Sequence, residues 1–216
     1  RLIPKYILKA INMIEENNEQ AYIVGGAVRD YLLKKPINDY DITTSAKPEK
    51  IKEIFKGYTT VDIGSKYGTI IVILDKNRVE ITTYRTESDY DGRRPGMVKF
   101  SDKLEEDLKR RDFTINAMCY NPKSGFIDYF RGQEDLNNQL IRAIGNPKER
   151  IKEDYLRILR AIRFACQLDF SIDEDLSNAI KEEKNNLCLI SVERIKEEFN
   201  KILISKKPSI GIDLLA

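Results

Sequence analysis

Two aspartates one residue apart, Asp39 and Asp41, stand in the stretch INDYDITTSA of a 216-residue chain that contains no histidine. Side chains alternate along a strand, so both carboxylates fall on one face, with Tyr40 and Ile42 on the other. Two bare carboxylates side by side repel. A magnesium ion removes that repulsion, because hard divalent ions take oxygen ligands and suit a pair of aspartates plus water and phosphate. A solvated edge strand carrying two exposed acids has the same spelling, and DxD alone does not choose between the two. The missing histidine takes away the commonest general base and the commonest zinc ligand. Catalysis here would rest on carboxylates, lysines, arginines, hydroxyls or a hard metal ion.

Gly25-Gly26 shifts the balance. A glycine pair between a strand and a helix lets backbone N–H groups approach phosphates, and the helix N-terminus adds positive potential. Arg29, one turn in, reaches the same phosphates. Most glycine pairs are only tight turns, but a glycine turn, an arginine and a DxD strand within 17 residues form a more specific set. Glu80, in RVEITTY, offers a third carboxylate if its strand lies beside that of Asp41. Such a triad suits two-metal phosphoryl transfer; a solvent-facing strand glutamate is the plain alternative.

The elements that must position these groups follow from periodicity. Residues 4–16 have helical apolar spacing at Ile7, Leu8, Ile11 and Ile14. AYIV (21–24) is a short buried strand, AVRDYLL starts a helix, and DYDITT is a strand. SAKPEKIKEIF follows as a helix with Ser45 as its cap and Pro48 in its first turn. GTIIVIL (68–74) and RVEITTY (78–84) are strands joined by DKN. A glycine- and charge-rich stretch, 87–103, has little periodicity and is expected to be mobile. From about residue 146 no strand signal remains, and IKEDYLRILRAIRFACQL, DEDLSNAIKEE and SVERIKEEFNKIL are amphipathic helices. The expectation is an α/β head, residues 1–145, followed by an all-helical neck, residues 146–216.

Thirty-seven basic and 35 acidic residues give a net charge of +2, so bulk charge neither demands nor excludes a nucleic-acid partner. Cys119, Cys166 and Cys188 are too scattered for a disulfide framework or a metal site, which suits the reducing cytoplasm. No apolar run of about 18 residues suggests a membrane. The chain begins at Arg1 and stops at GIDLLA inside an apolar pattern. This reads as a piece of a longer protein, with a naturally short chain as the alternative.

GGAVRD (25–30), DYDITTSA (39–46), EEDLKRRDFTINAM (105–118), EDYLR (153–157) and SVERIKEEFNKIL (191–203) occur in this order. Together they closely resemble the class II tRNA nucleotidyltransferases, the CCA-adding enzymes, a family that includes the bacterial poly(A) polymerases. The resemblance implies a DNA-polymerase-beta-like head with a mixed sheet and flanking helices, then neck, body and tail. It implies Asp39 and Asp41 as magnesium ligands, Gly25, Gly26 and Arg29 at the triphosphate, and Arg111, Asp112 and Asn116 around the nucleotide and its ribose. Glu80 matches more loosely.

At about 100° per residue, Ile158, Leu159, Ile162 and Cys166 form, with Tyr155, one face of the helix after residue 150, and Asp154, Arg157, Arg160 and Arg163 the opposite arc. Taken alone this is a solvated basic face. In the family's context Asp154 and Arg157 resemble an amino-acid template for the incoming base. A carboxylate accepts from an exocyclic amine and a guanidinium donates to a ring nitrogen or carbonyl, which suits cytosine and adenine and rejects uracil and guanine. Arg160 and Arg163 would face phosphate or RNA. Val192, Ile195, Phe199 and Ile202 mark SVERIKEEFNKIL as a packing helix, with Glu193 and Arg194 bracing the base-reading one. The implied partners are ATP, CTP and the tRNA 3′ end. The stretch 87–103 resembles a loop of CCA- and A-adding members that CC-adding members lack, and Tyr67 stands where histidine is frequent. Complete CCA addition is the first expectation. A-adding or poly(A) polymerase activity and a non-catalytic RNA-binding module are the alternatives.

Overall fold

The apolar stripe Ile7, Ala10, Ile11 and Ile14 builds helix α1 (Lys5–Glu16), with all four side chains buried in a computed structural model describing residues 3–88, 90–92 and 95–216. Contacts sort the chain into two units. One is Arg1–Thr86, Val98–Arg110 and Asn116–Tyr129; the other is Glu87–Met97, Arg111–Ile115 and Phe130–Ala216. The units interleave along the chain rather than dividing it at one residue.

In the first unit the order is α1, β1 (Ala21–Val24), α2 (Gly26–Leu32), β2 (Asp41–Thr44), α3 (Pro48–Ile54), β3 (Thr59–Gly64), β4 (Thr69–Leu74) and β5 (Asn77–Thr83). β6 (Arg85–Ser88) and β7 (Met97–Phe100) form a separate two-stranded ribbon, followed by α4 (Leu104–Lys109), β8 (Cys119–Asn121) and β9 (Gly125–Ile127). Seven strands make one mixed sheet in the order β3-β4-β5-β2-β1-β8-β9, in which β2 and β5 are parallel. Ile42, Ile70, Leu74 and Ile81 of the sheet are buried, as are Ile51 and Phe55 on and beside α3. A buried side chain of this size contributes on the order of 2 kcal/mol. This is the mixed sheet with flanking helices that the sequence implied.

Several expectations are corrected. The strand in DYDITT begins only at Asp41, so Asp39 precedes it. Ser45 does not cap α3, whose first turn opens at Lys47 and Pro48. Instead Ser45 Oγ donates to Glu19 Oε2 (2.6 Å) and accepts from the Gln20 N–H (2.8 Å). The strands β3, β8 and β9 were not anticipated, because their polar and glycine-containing runs lack a buried alternation. The stretch 87–103 contributes to the β6–β7 ribbon; its Asp89, Arg93 and Arg94 lie outside the described residues.

The second unit contains α5 (Gly132–Asn137), β10 (Leu140–Ile141), α6 (Pro147–Glu153), α7 (Leu156–Leu168), β11 (Ser171–Ile172), α8 (Glu174–Glu183), α9 (Val192–Leu203) and α10 (Pro208–Leu215). β10 and β11 pair in parallel, so strand structure does occur after residue 146. The expected single helix from Ile151 breaks at Asp154, whose φ of −152° and ψ of 107° are extended. An aspartate competes for nearby backbone N–H groups, and Asp154 Oδ1 accepts from Leu156 N at 3.1 Å. Ile158, Leu159, Ile162 and Cys166 on α7 are buried as expected, but Val192 on α9 is 67 % exposed. Among the described residues no helix is long and apolar enough to cross a membrane.

At the β1–α2 turn Gly25 has φ 77° and ψ −136°, a combination open to little but glycine. We expect Gly25→Ala to cost about 1–3 kcal/mol of stability, measured by urea unfolding. An unchanged midpoint would show that this turn carries no strain for a side chain.

Candidate active site

The sheet register determines which side chains meet in the first unit. Ile71, Glu80, Asp41, Val24, Cys119 and Ile127 are successive partners across β4, β5, β2, β1, β8 and β9. Residues directly opposite share a face, so Asp41 and Glu80 project side by side from parallel strands about 4.8 Å apart. Val24 is the next partner of Asp41, and the chain turns at Gly25 immediately after it. The glycine turn and the acidic strand thus lie side by side in the middle of the sheet.

Asp39 and Asp41 are both exposed. Burial, and then the charge of Asp39, raise the Tyr6 phenol above its ordinary pKa. Glu80 is half-exposed and its carboxylate approaches Arg78 Nη2 at 3.4 Å. Among the described residues no three acid, cysteine or histidine groups converge into a metal-holding cluster. Glu80 is therefore beside Asp41 as anticipated, but the three carboxylates are not gathered on one point. An acidic, oxygen-only set on adjacent central strands suits a hard divalent ion whose other ligands are phosphate and water.

Helix α2 opens with Gly26, and the Arg29 guanidinium folds back toward it, so that a Cβ built at Gly26 would lie 3.4 Å from Nη2. Arg29 Nε donates to Asp30 Oδ1 (3.0 Å) and Nη1 to Asn116 Oδ1 (2.8 Å). Asn116, which follows Thr114 and Ile115 in a 3₁₀ turn, is buried. The structure thereby joins Gly26, Arg29 and Asn116.

The second unit holds Asp112, Arg157, Arg160 and Arg163 in a network of charges, and pairs Asp154 separately with Arg194. Asp112 accepts from Arg160 Nε at 2.7 Å and from its neighbour's backbone, Phe113 N, also at 2.7 Å. Burial alone would raise the Asp112 carboxyl; the Arg160 guanidinium, helped by Arg157, brings it down to about 2. Glu198 on α9 holds Arg163 Nε at 2.5 Å and lies 3.8 Å from Arg160 Nη1. Arg111 offers its carbonyl oxygen to Arg150 Nη2 at 2.7 Å.

Asp154 and Arg157 do not pair with each other as an i,i+3 helix pair. Asp154 sits outside α7, and its two oxygens take Arg194 Nη1 and Nη2 at 3.3 and 2.8 Å. Arg157 Nη1 donates to Glu153 Oε2 and to the Arg150 carbonyl, both at 2.7 Å, and its guanidinium lies 5.5 Å from the centre of the Tyr90 ring. The Tyr155 N–H donates to Gly92 O at 2.8 Å. Gly92 has φ +88°, and a Cβ there would meet the Tyr155 ring at 2.5 Å. Arg160 and Arg163 are engaged by Asp112 and Glu198 rather than forming a solvated basic arc, because α9 packs over α7. Arg194 braces Asp154 as expected, whereas Glu193 points to solvent.

Glu153 and Glu198 escaped the sequence reading. Glu153 precedes Arg157 by four residues, a spacing that favours an ion pair and was legible. Glu198 shares a chain segment with other acids, and only the packing of α9 singles it out.

The depressed pKa of Asp112 predicts an acid-labile contribution. It is complete above the ordinary value of 3.8 and is lost as pH falls through about 2. Asp112→Asn should cost about 2 kcal/mol at pH 7, with the difference from the parent closing between about pH 4 and 2 in urea titrations. A difference that stays constant with pH would remove the ion pair from the account.

The chain matches the family described as Poly A polymerase head domain over residues 21–142, and one described as probable RNA and SrmB-binding site of polymerase A over residues 169–216. It is 54% identical to the CCA-adding enzyme of Enterococcus faecalis over 214 residues, 97% of this chain and 52% of that protein. It is 48% identical to the Bacillus subtilis CCA-adding enzyme over 197 residues, 91% of this chain and 49% of that one. Its fold superimposes on the Bacillus stearothermophilus CCA-adding enzyme solved in complex with CTP, with a TM-score of 0.92 and 40% identity over 100% of this chain and 52% of that one. The Thermotoga maritima CCA-adding enzyme complexed with tRNA_CCA gives a TM-score of 0.78 and 32% identity over 99% and 50%. The chain thus spans about half the length of the curated relatives it matches.

Proposed function

The chain belongs to the tRNA nucleotidyltransferase and poly(A) polymerase family, and from that premise we propose that it is the head and neck of an enzyme that adds C, C and A to the tRNA 3′ end from CTP and ATP. The observation that carries the reading is the in-register pair Asp41 and Glu80, one strand from the turn at Gly25. The CTP in one relative's structure and the tRNA in another's support those substrates.

The reaction is attack of the tRNA 3′-hydroxyl on the α-phosphorus of the bound nucleotide, with release of pyrophosphate. Asp39 and Asp41 would hold Mg²⁺, with Glu80 beside them, and a pair of such ions would supply the charge neutralisation of two-metal phosphoryl transfer. Gly25, Gly26 and Arg29 receive the triphosphate, with Asn116 holding the Arg29 guanidinium. Asp112, Arg160 and Arg163 belong to the nucleotide side through the charge network they share, and Arg111 through its place beside Asp112 in the chain. Asp154 and Arg157 read the base edge, each steadied by its own partner, Arg194 and Glu153. We further propose that residues 1–145 and 146–216 are the head and neck of the parent protein. No protein base is required, since positioning and electrostatics carry most of phosphoryl transfer.

The test is incubation of the full-length protein with tRNA lacking its terminus, Mg²⁺, and CTP and ATP separately or together. Stepwise C, C and A addition is expected. Incorporation of A alone, onto tRNA already ending in CC, would replace this reading by A addition, and no incorporation would remove the enzyme reading altogether. Asp39→Ala should lower the rate at least about 100-fold, or roughly 3 kcal/mol of transition-state stabilisation, with the fold retained by circular dichroism. Asp154→Ala or Arg157→Ala should raise UTP and GTP misincorporation relative to CTP and ATP by about 10-fold or more. A slower enzyme with unchanged base preference would deny them the reading role.

A further inference from the structure

Asp107 lies within EEDLKRRDFTINAM but belongs to neither constellation above. Its side chain is fully buried in the first unit. Oδ2 accepts from Thr43 Oγ1 at 2.9 Å. Oδ1 accepts from the Arg85 backbone N–H at 3.1 Å and pairs with Arg110 Nε at 3.3 Å. A buried carboxylate is costly unless donors surround it, and this one draws donors from three separate parts of the unit.

Those parts matter. Thr43 lies two residues beyond Asp41 on β2 and hence on the same face. Arg85 lies two residues past the end of β5, which carries Glu80. Strand β2 has only four residues, Asp41 is the first of them, and the stretch before it, 35–40, is irregular. Asp41 is placed by its pairing with Val24 and Glu80, and Thr43, two residues further along the same strand, is where α4 adds a second hold on β2. Asp41 and Glu80 carry the same charge one strand spacing apart, and their repulsion tends to splay β2 from β5. One carboxylate on α4 thus ties β2, at Thr43, to the chain just beyond β5, at Arg85, the first residue of β6.

We propose that Asp107 is a positioning residue for the cation site: acting through Thr43, it holds β2 against β5 so that the acidic pair is formed before any ion arrives. The inference rests on the reading of Asp39 and Asp41 as cation ligands.

The test uses Mn²⁺ alone as the probe, titrated into the chain and followed by loss of the free-ion electron paramagnetic resonance signal. Thr43→Val keeps the shape of the side chain and deletes the hydroxyl; it should weaken Mn²⁺ binding about 5- to 10-fold, the lower end for outer partners of a metal site. Thr43→Ser keeps the hydroxyl and should bind like the parent even where its thermal midpoint is lower. Asp107→Asn should follow Thr43→Val. If Asp107→Asn does not fold, the valine and serine pair still decides, because affinity that tracks thermal stability instead of the hydroxyl overturns the proposal. Parent-like binding by Thr43→Val also overturns it while leaving the cation site standing. Asp39→Ala is the separate control. If it binds Mn²⁺ as the parent does, the cation reading itself fails and this inference falls with it.

Discussion

The feature on which the rest of this structure depends is a pair of like charges held in register. Asp41 and Glu80 are direct partners on adjacent parallel strands, where carboxylates raise each other's electrostatic energy. Nothing local favours that placement; it is imposed by burial on the opposite face of the same strands. Ile42 and Ile81, each the next residue along, are themselves paired and fully buried. A one-residue slip of β2 against β5 would expose that apolar pair, so the hydrophobic pairing outweighs the repulsion and sets the acidic pair in place. The turn at Gly25 inherits its place from the same register, because Val24 is paired with Asp41.

The second unit meets the opposite difficulty, too many positive charges under cover. Arg150, Arg157, Arg160, Arg163 and Arg194 face Glu153, Asp112, Glu198 and Asp154. Burial lowers the pKa of Arg150 and of Arg163, whereas the charge of Asp112 raises that of Arg160. Guanidinium groups tolerate such crowding because they remain charged and offer directed donors to several acceptors at once. The result is a set of arginines fixed in direction by carboxylates. Under the proposed function those carboxylates keep the arginines aimed before a nucleotide is present, which lowers the ordering cost of binding.

Much of this was legible in the sequence. Strict apolar spacing gave α1, β4, β5 and α7, and the order of the motifs implied the mixed sheet. The strands β3, β8 and β9 were not legible, since β3 is largely exposed, β8 and β9 have three residues each, and their places come from pairing with β4 and β1. The break at Asp154 was missed for a different reason. Apolar periodicity runs across it from Ile151 to Ile158; the helix is interrupted where the Asp154 side chain takes the Leu156 N–H and the Gly92 carbonyl takes the Tyr155 N–H. For the site, residue types were readable and partners were not. Asp39, Asp41, Gly25 and Arg29 announce themselves by spacing. The tie from Arg29 to Asn116 spans 87 positions and that from Thr43 to Asp107 spans 64, so both exist only after folding.

The charged groups of the second unit are fixed in protonation as well as in direction. Here Asp112 is held near 2 and the Tyr90 phenol, by burial and then by Glu87, near 12. These groups keep one protonation state across the physiological range. They suit a fixed electrostatic frame. Transfer of a nucleotidyl group asks mainly for aligned oxygens and neutralised charge. A framework of permanently charged carboxylates and guanidiniums, held by β-register in one unit and by ion pairs in the other, can meet that demand.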